Sequence, residues 1–192
     1  MGPRITVDSA TLVNKGFEVI EAHWLFGMER EQIDVVLHPQ STVHSMVEFV
    51  DGSILAQLGL TDMRVPIQYA LTYPERVASN GLSFDLGKMK RLEFGKVSTR
   101  RYPCLRLARE AMRKGGALPC ALNAADEIAV AAFLERRLSF PGIAAVVEDV
   151  LGKMPRMKLT SMDDVLAADR EARRLAQDAV HRRSYQVTPA GV

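Results

Sequence analysis

The feature that most limits the fold is a change of hydrophobic period partway along the chain. Beyond about residue 102, apolar residues recur at helical spacing in four segments: Cys104 to Lys114, about Ala121 to Arg137, Gly142 to Met154 and Ser161 to about Arg183. Gly115-Gly116, Pro141 and Pro155 separate them as breakers. Four helices with joins this short predict a bundle. The last opens Ser161-Met162-Asp163-Asp164, with acids at its positive end, and its interleaved acids and bases predict a solvated face. The tail Ser184 to Val192 is expected to fray.

Ahead of Tyr102-Pro103 the pattern is mixed. Ile33 to Leu37, Val43 to Val50 and Ile54 to Leu58 read as strands. Asp51-Gly52 supplies a tight turn between the last two, which predicts an antiparallel hairpin within a small sheet of about three or four strands. Ile5-Thr6-Val7 is a β-branched triplet expected to be extended, handing over near Asp8 or Ser9 to a helix that runs to about Phe26, with Gly27 as its left-handed last residue. Leu12, Phe17, Ile20, Trp24 and Leu25 form the expected packing side of that helix. Pro66, after Thr61-Asp62, marks the first turn of a further helix closed by Pro74. Glu75 to Thr99, with three glycines and one short strand at Arg91 to Phe94, reads as a connection. The predicted class is α+β, a small mixed or antiparallel sheet with helices over residues 1–74, a linker over 75–101, a carboxy-terminal helical bundle over 102–183 and a tail over 184–192.

Polar chemistry concentrates on the first helix, where Asn14, Lys15, Glu18 and Glu21 recur at spacings of three and four and so share a face. Such a face offers hard oxygen donors to a divalent cation, and Lys15 and Ser9 near a helix start suit a phosphate. Magnesium or manganese usually takes one or two carboxylates plus substrate and water, so Glu18 needs ligands from elsewhere. The same spacing equally describes a surface face in which Lys15 and Glu18 form a weak pair contributing about 0.2–0.5 kcal/mol. His38 and His44 have no third ligand at metal spacing and read as packed or hydrogen-bonded imidazoles. Asn123, Asp126 and Glu127 sit in an Ala-rich helix and read as caps or inter-helix bonds.

Composition narrows the function classes. The formal charge of +2 comes with no dense Lys/Arg run, which argues against a nucleic-acid footprint. No apolar stretch has the length of a membrane span or the form of a signal core, and Cys104 and Cys120 show no metal or disulfide spacing, so a cytoplasmic protein with buried thiols is expected.

Several blocks go further than pattern. Val7-Asp8-Ser9-Ala10-Thr11, Asn14-Lys15-Gly16 with Glu18 and Glu21-Ala22, His38-Pro39-Gln40-Ser41, Leu55 to Gly59, Asp62-Met63-Arg64, Arg101 to Leu105 and Ala121 to Ala125 closely resemble 1-deoxy-D-xylulose 5-phosphate reductoisomerase, in order and across nearly the whole chain. The resemblance implies an NADPH- and divalent-metal-dependent enzyme acting on a phosphorylated pentulose in non-mevalonate isoprenoid synthesis, a homodimer when whole. By the same resemblance Glu18 is a metal ligand and catalytic residue, Ser9 and Asn14 hold the phosphate end, Lys15 contacts phosphate or a substrate hydroxyl, and Met63 lies near the nicotinamide. Residues 1–74 would then be part of the catalytic domain. The family's NADPH-binding Rossmann domain and its Asp-Ser-Glu ligands are not within these 192 residues, so the isolated chain is expected to be inactive. The alternative is a non-catalytic interaction module derived from that enzyme.

Overall fold

The computed structural model describes residues 2–79 and 81–184. Its elements are α1 (Pro3–Thr11), α2 (Val13–Phe26), β1 (Val36–Leu37), β2 (Val43–Glu48), β3 (Ile54–Leu58), α3 (Arg64–Thr72), β4 (Gly95–Lys96), α4 (Pro103–Lys114), α5 (Leu118–Leu134), α6 (Phe140–Lys153) and α7 (Met162–Ser184). Short 3-10 turns occupy Arg30–Gln32 and Leu86–Lys88.

These elements form two compact units, and the division differs from the one the sequence suggests. One unit joins the residues up to Val35 with those from Val97 onward; the other is Val36–Lys96. Thus α1 and α2 belong with the helical bundle rather than with the strands. The reason is burial: Val7, Val13 and Val19 are closed off from water, and Val7 joins the same core as Leu107, Leu122, Val130, Ile143 and Val147. Burying a side chain of this size contributes about 1.5–3 kcal/mol, which outweighs the weak local preference that would have drawn a cut near residue 74.

The same packing corrects the opening strand. Ile5-Thr6-Val7 is helical, with Pro3 at the first turn and Val7, Asp8 and Thr11 on the buried side of α1. β-branched residues only mildly disfavour helix, and the tertiary contact overrides them. Asp8 is therefore inside a helix, not at a cap. Helix α2 begins after Leu12 and ends at Gly27, whose φ of 63° is the left-handed C-terminal conformation expected of it. Its buried residues are Val13, Gly16 and Val19, with Phe17 and Ile20 partly buried against the core. Trp24 and Leu25, expected to pack, are each 75% exposed.

In the bundle, α5 and α7 approach through alanines: Ala121, Ala124, Ala125, Ala129 and Ala132 on one, Ala168, Ala172, Ala176 and Ala179 on the other, all essentially inaccessible. Small side chains at the contact shorten the interaxial distance and let two helices share a core with few large residues. Ser139 accepts a hydrogen bond from the Gly142 amide at 3.3 Å to start α6. Only Ser184 of the tail lies within the described residues, as the last residue of α7; 185–192 lie outside them.

The second unit holds the predicted hairpin, with Met46 opposite Ala56 and Glu48 opposite Ile54, and Gly52 at φ 81° in the turn. The expected three- or four-stranded sheet is absent among the described residues. Two separate two-stranded ladders stand in its place, β2 with β3 and the brief β1 with β4. The strand expected at Arg91 to Phe94 falls instead at Gly95–Lys96, where Val36 and Leu37 pair with it. Helix α3 begins as expected after Asp62, whose carboxylate accepts from the Arg64 amide at 2.9 Å.

Candidate functional site

Helix α2 divides its residues by face. Val13, Gly16 and Val19 are buried, while Glu18 and Glu21 point to water and Asn14 and Lys15 are partly covered. The Asn14 side-chain amide donates to Glu18 Oε1 at 2.7 Å, and Lys15 Nζ donates to Glu18 Oε2 at 2.6 Å. Three of the residues singled out by the sequence therefore meet around one carboxylate. Glu21 extends the exposed face. The Lys15 and Glu18 side chains are both 45% exposed, so their ion pair has the character of the weak surface pair that the spacing also allowed.

Ser9 stands across a sharp junction from this group. Leu12 connects α1 to α2 with φ 57°, a left-handed conformation that costs a non-glycine residue about 1–2 kcal/mol. Its amide donates to the Ser9 carbonyl at 3.2 Å, and the Gly16 amide donates back to the Leu12 carbonyl at 3.0 Å. The Ser9 hydroxyl donates to the Ile5 carbonyl at 2.7 Å, leaving its oxygen lone pairs as acceptors. Met63 lies in the other unit, immediately before α3, and is 69% exposed.

Sequence reasoning missed what lies beneath α1. Asp8 faces Asp126 of α5, and each carboxyl perturbs the ionisation of the other. Asp126 is fully buried, and with both groups ionised neither of its oxygens nor Asp8 Oδ1 would have a donor. Burial, and then the charge of Asp8, push the Asp126 carboxyl up to about 7. Burial also raises Asp8, opposed by Arg4, whose guanidinium lies 3.5 Å from Asp8 and 4.0 Å from Asp126. Arg4 also donates to Glu127 at 3.0 Å, and Glu127 is gripped from the other side by Arg173 of α7. The reading of Glu127 as an inter-helix bond holds; Asp126 is a buried acid, not a cap. Beside the pair, burial and then the charges of Asp126 and Asp8 push the Cys104 thiol up to about 12, which makes it packing rather than a nucleophile.

The histidines are engaged within their own units. His38 Nδ1 is 2.8 Å from the Glu93 carbonyl and stacks on Phe94, while His44 Nε2 is 3.0 Å from the Ser41 carbonyl. Among the described residues no three His, Cys, Asp or Glu side chains gather as a metal site. A hollow of about 600 Å³ between α5 and α7, lined by Ile128, Glu135, Arg137 and Gln177 among others, shares no residue with the α2 face.

Residues 58–175 match the model of the DXP reductoisomerase C-terminal domain, and residues 1–26 that of the 1-deoxy-D-xylulose 5-phosphate reductoisomerase C-terminal domain. The chain belongs to the DXP reductoisomerase family. The reductoisomerase of Nitrosomonas eutropha is 52% identical over 191 residues, 100% of this chain and 46% of that protein. The solved structure of the reductoisomerase from Zymomonas mobilis in complex with NADPH has a TM-score of 0.88 at 45% identity, over 92% of this chain and 47% of that one. A DOX-P reductoisomerase solved with fosmidomycin and magnesium also gives 0.88, at 40% identity over 96% and 48%. The chain thus spans under half the length of the reductoisomerases it matches. Glu18 is an exposed carboxylate flanked by the Asn14 amide and the Lys15 ammonium. That donor set fits a magnesium or manganese ion as one ligand of several.

Proposed function

We propose that this chain is the carboxy-terminal portion of an NADPH- and divalent-metal-dependent reductoisomerase that converts 1-deoxy-D-xylulose 5-phosphate to 2-C-methyl-D-erythritol 4-phosphate, in non-mevalonate isoprenoid synthesis. The observation that carries the reading is 52% identity to such an enzyme along essentially the whole chain, with Asn14, Lys15 and Glu18 clustered on an exposed face.

Each residue has a role its chemistry suits. Glu18 is the carboxylate that would hold magnesium or manganese. Asn14 orients one Glu18 oxygen and binds the phosphate end of the substrate together with Ser9, whose hydroxyl would turn from the Ile5 carbonyl to donate to a phosphate oxygen. Lys15 needs only to exchange Glu18 for a phosphate or hydroxyl oxygen, which costs about 0.2–0.5 kcal/mol for an exposed helical pair. The weak pair and the binding role are thus compatible. When bound, the metal supplies Lewis-acid polarisation of the ketone and NADPH supplies the hydride. Met63, exposed ahead of α3, offers a polarisable thioether to pack on the nicotinamide.

The test is an intact enzyme in which these 192 residues replace the matched segment of the Nitrosomonas eutropha protein. It should oxidise NADPH with the pentulose phosphate, whereas the isolated chain should not. Glu18→Gln should lower turnover about 100-fold or more at limiting metal, in line with the loss of a charge-stabilising ligand. A normal rate there would remove Glu18 from the metal site. The exposed hairpin, with Val47 56% and Leu55 67% accessible, supports a homodimer for the intact enzyme. Light scattering that finds only monomer would refute it.

A further inference from the structure

Between Lys15 and Glu18, α2 presses on α4 through Gly16. A Cβ built on Gly16 would lie 2.4 Å from the Ala108 Cβ, with the Cys104 carbonyl oxygen at 3.8 Å and the Ala108 Cα at 3.9 Å. The obstacle is a methyl attached directly to helix backbone, fully buried, and it has no rotamer by which to move aside. Carbon–carbon contacts settle at about 3.5–4.0 Å, so any side chain at position 16 requires α2 to withdraw from α4 by about 1 Å. Gly16 is not needed for its backbone freedom, since it lies inside a regular helix, where glycine costs about 1 kcal/mol relative to alanine. What it supplies is closeness.

We propose that Gly16 is a positioning residue: its bare Cα seats α2 between Cys104 and Ala108 of α4, and so fixes where Asn14, Lys15 and Glu18 stand. The inference rests on the reading of those three residues given above. Val13 and Val19, one turn to either side and buried, hold the rest of the face in register, so displacement at Gly16 is transmitted along the segment that carries Glu18. A shift of about 1 Å in a residue that binds substrate or metal is enough to cost about 100-fold in rate.

The experiment uses the intact chimaeric enzyme described above. Gly16→Ala should lose about 100-fold in kcat/KM and require more metal for half-saturation. Combining it with Ala108→Gly, which moves the methyl from one helix to the other and keeps the contact filled, should restore both values to within several-fold. Val147→Ala, a truncation in the core of α6, controls for loss of stability alone and should leave the metal dependence unchanged. Crystal structures of the single and double variants should show α2 withdrawn and then reseated. If Gly16→Ala fails to fold, Ala108→Val presses on the same contact from α4 and should give the same loss. Normal kinetics from a folded Gly16→Ala or Ala108→Val, or a folded double variant without recovery, would overturn the proposal. An inactive parent chimaera would instead sink the reaction assigned to the chain, while the helix displacement in the crystals would still decide the role of Gly16.

Discussion

Replacing Asp126 by Asn should stabilise the protein at alkaline pH and do little in acid. Asp126 is buried against Asp8, and its carboxyl titrates near 7 rather than at the ordinary 3.8. Between those two values the folded state holds a proton that the unfolded chain releases, so stability falls as pH rises through this window. The penalty is absent below about 3.8 and complete above about 7. A difference of about 3 units at 1.36 kcal/mol each amounts to about 4 kcal/mol. Asparagine mimics the protonated acid, because it is neutral, of the same shape, and carries an amide that can donate toward Asp8. The groups facing the pair are Arg4 on α1, Glu127 on α5 and Cys104 on α4, with Arg173 on α7 reaching it through Glu127. None of them changes in the variant. Thermal unfolding followed by circular dichroism at pH 5, 6, 7 and 8 should show Asp126→Asn gaining steadily on the parent, by about 10 °C at pH 8 if each kcal/mol is worth about 2–4 °C. A difference independent of pH, or a loss at pH 8, would show that the carboxyls do not share a proton.

Two further outcomes test other parts of the structure. In the chimaeric enzyme, Lys15→Ala should raise KM for the pentulose phosphate by about 10-fold or more with a smaller change in kcat, since a lost charge-assisted bond is worth about 1.5–3 kcal/mol; unchanged steady-state kinetics would leave Lys15 as a surface partner of Glu18. Asp149, whose partial burial would raise it, is instead held down to about 2 by Lys153, Arg182 and Arg183. That stability is present above 3.8 and lost as pH falls through 2, so Asp149→Asn should cost about 1–2 kcal/mol in urea denaturation at pH 7, after allowing for solvent screening, and progressively less as the pH is lowered to 2.

Much of this molecule is legible wherever local sequence and final environment agree. Asp51-Gly52 fixes the turn of β2 and β3 because Gly52 takes the left-handed conformation, φ 81°, that other residues adopt only at a cost. Breakers at Gly115-Gly116 and Pro141, and Gly27 after α2, mark helix limits that the structure keeps within a few residues. Helical spacing alone suffices to put Asn14 and Lys15 each within hydrogen-bonding distance of Glu18.

Other features arise only in the folded chain. Ile5-Thr6-Val7 becomes helix because Val7 finds a core made by residues far along the chain, and a left-handed Leu12 is tolerated because packing on both sides holds it. The insertion of Val36–Lys96 between α2 and α4 leaves no signal in periodicity, which reports the neighbours of a residue along the chain and not across space. For the same reason Asp126 reads as an ordinary polar residue until Asp8 is brought against it, and Gly16 as an ordinary helix glycine until Ala108 is. Local spacing chose which side chains share the α2 face; long-range packing decided where that face stands and which carboxyl keeps its proton.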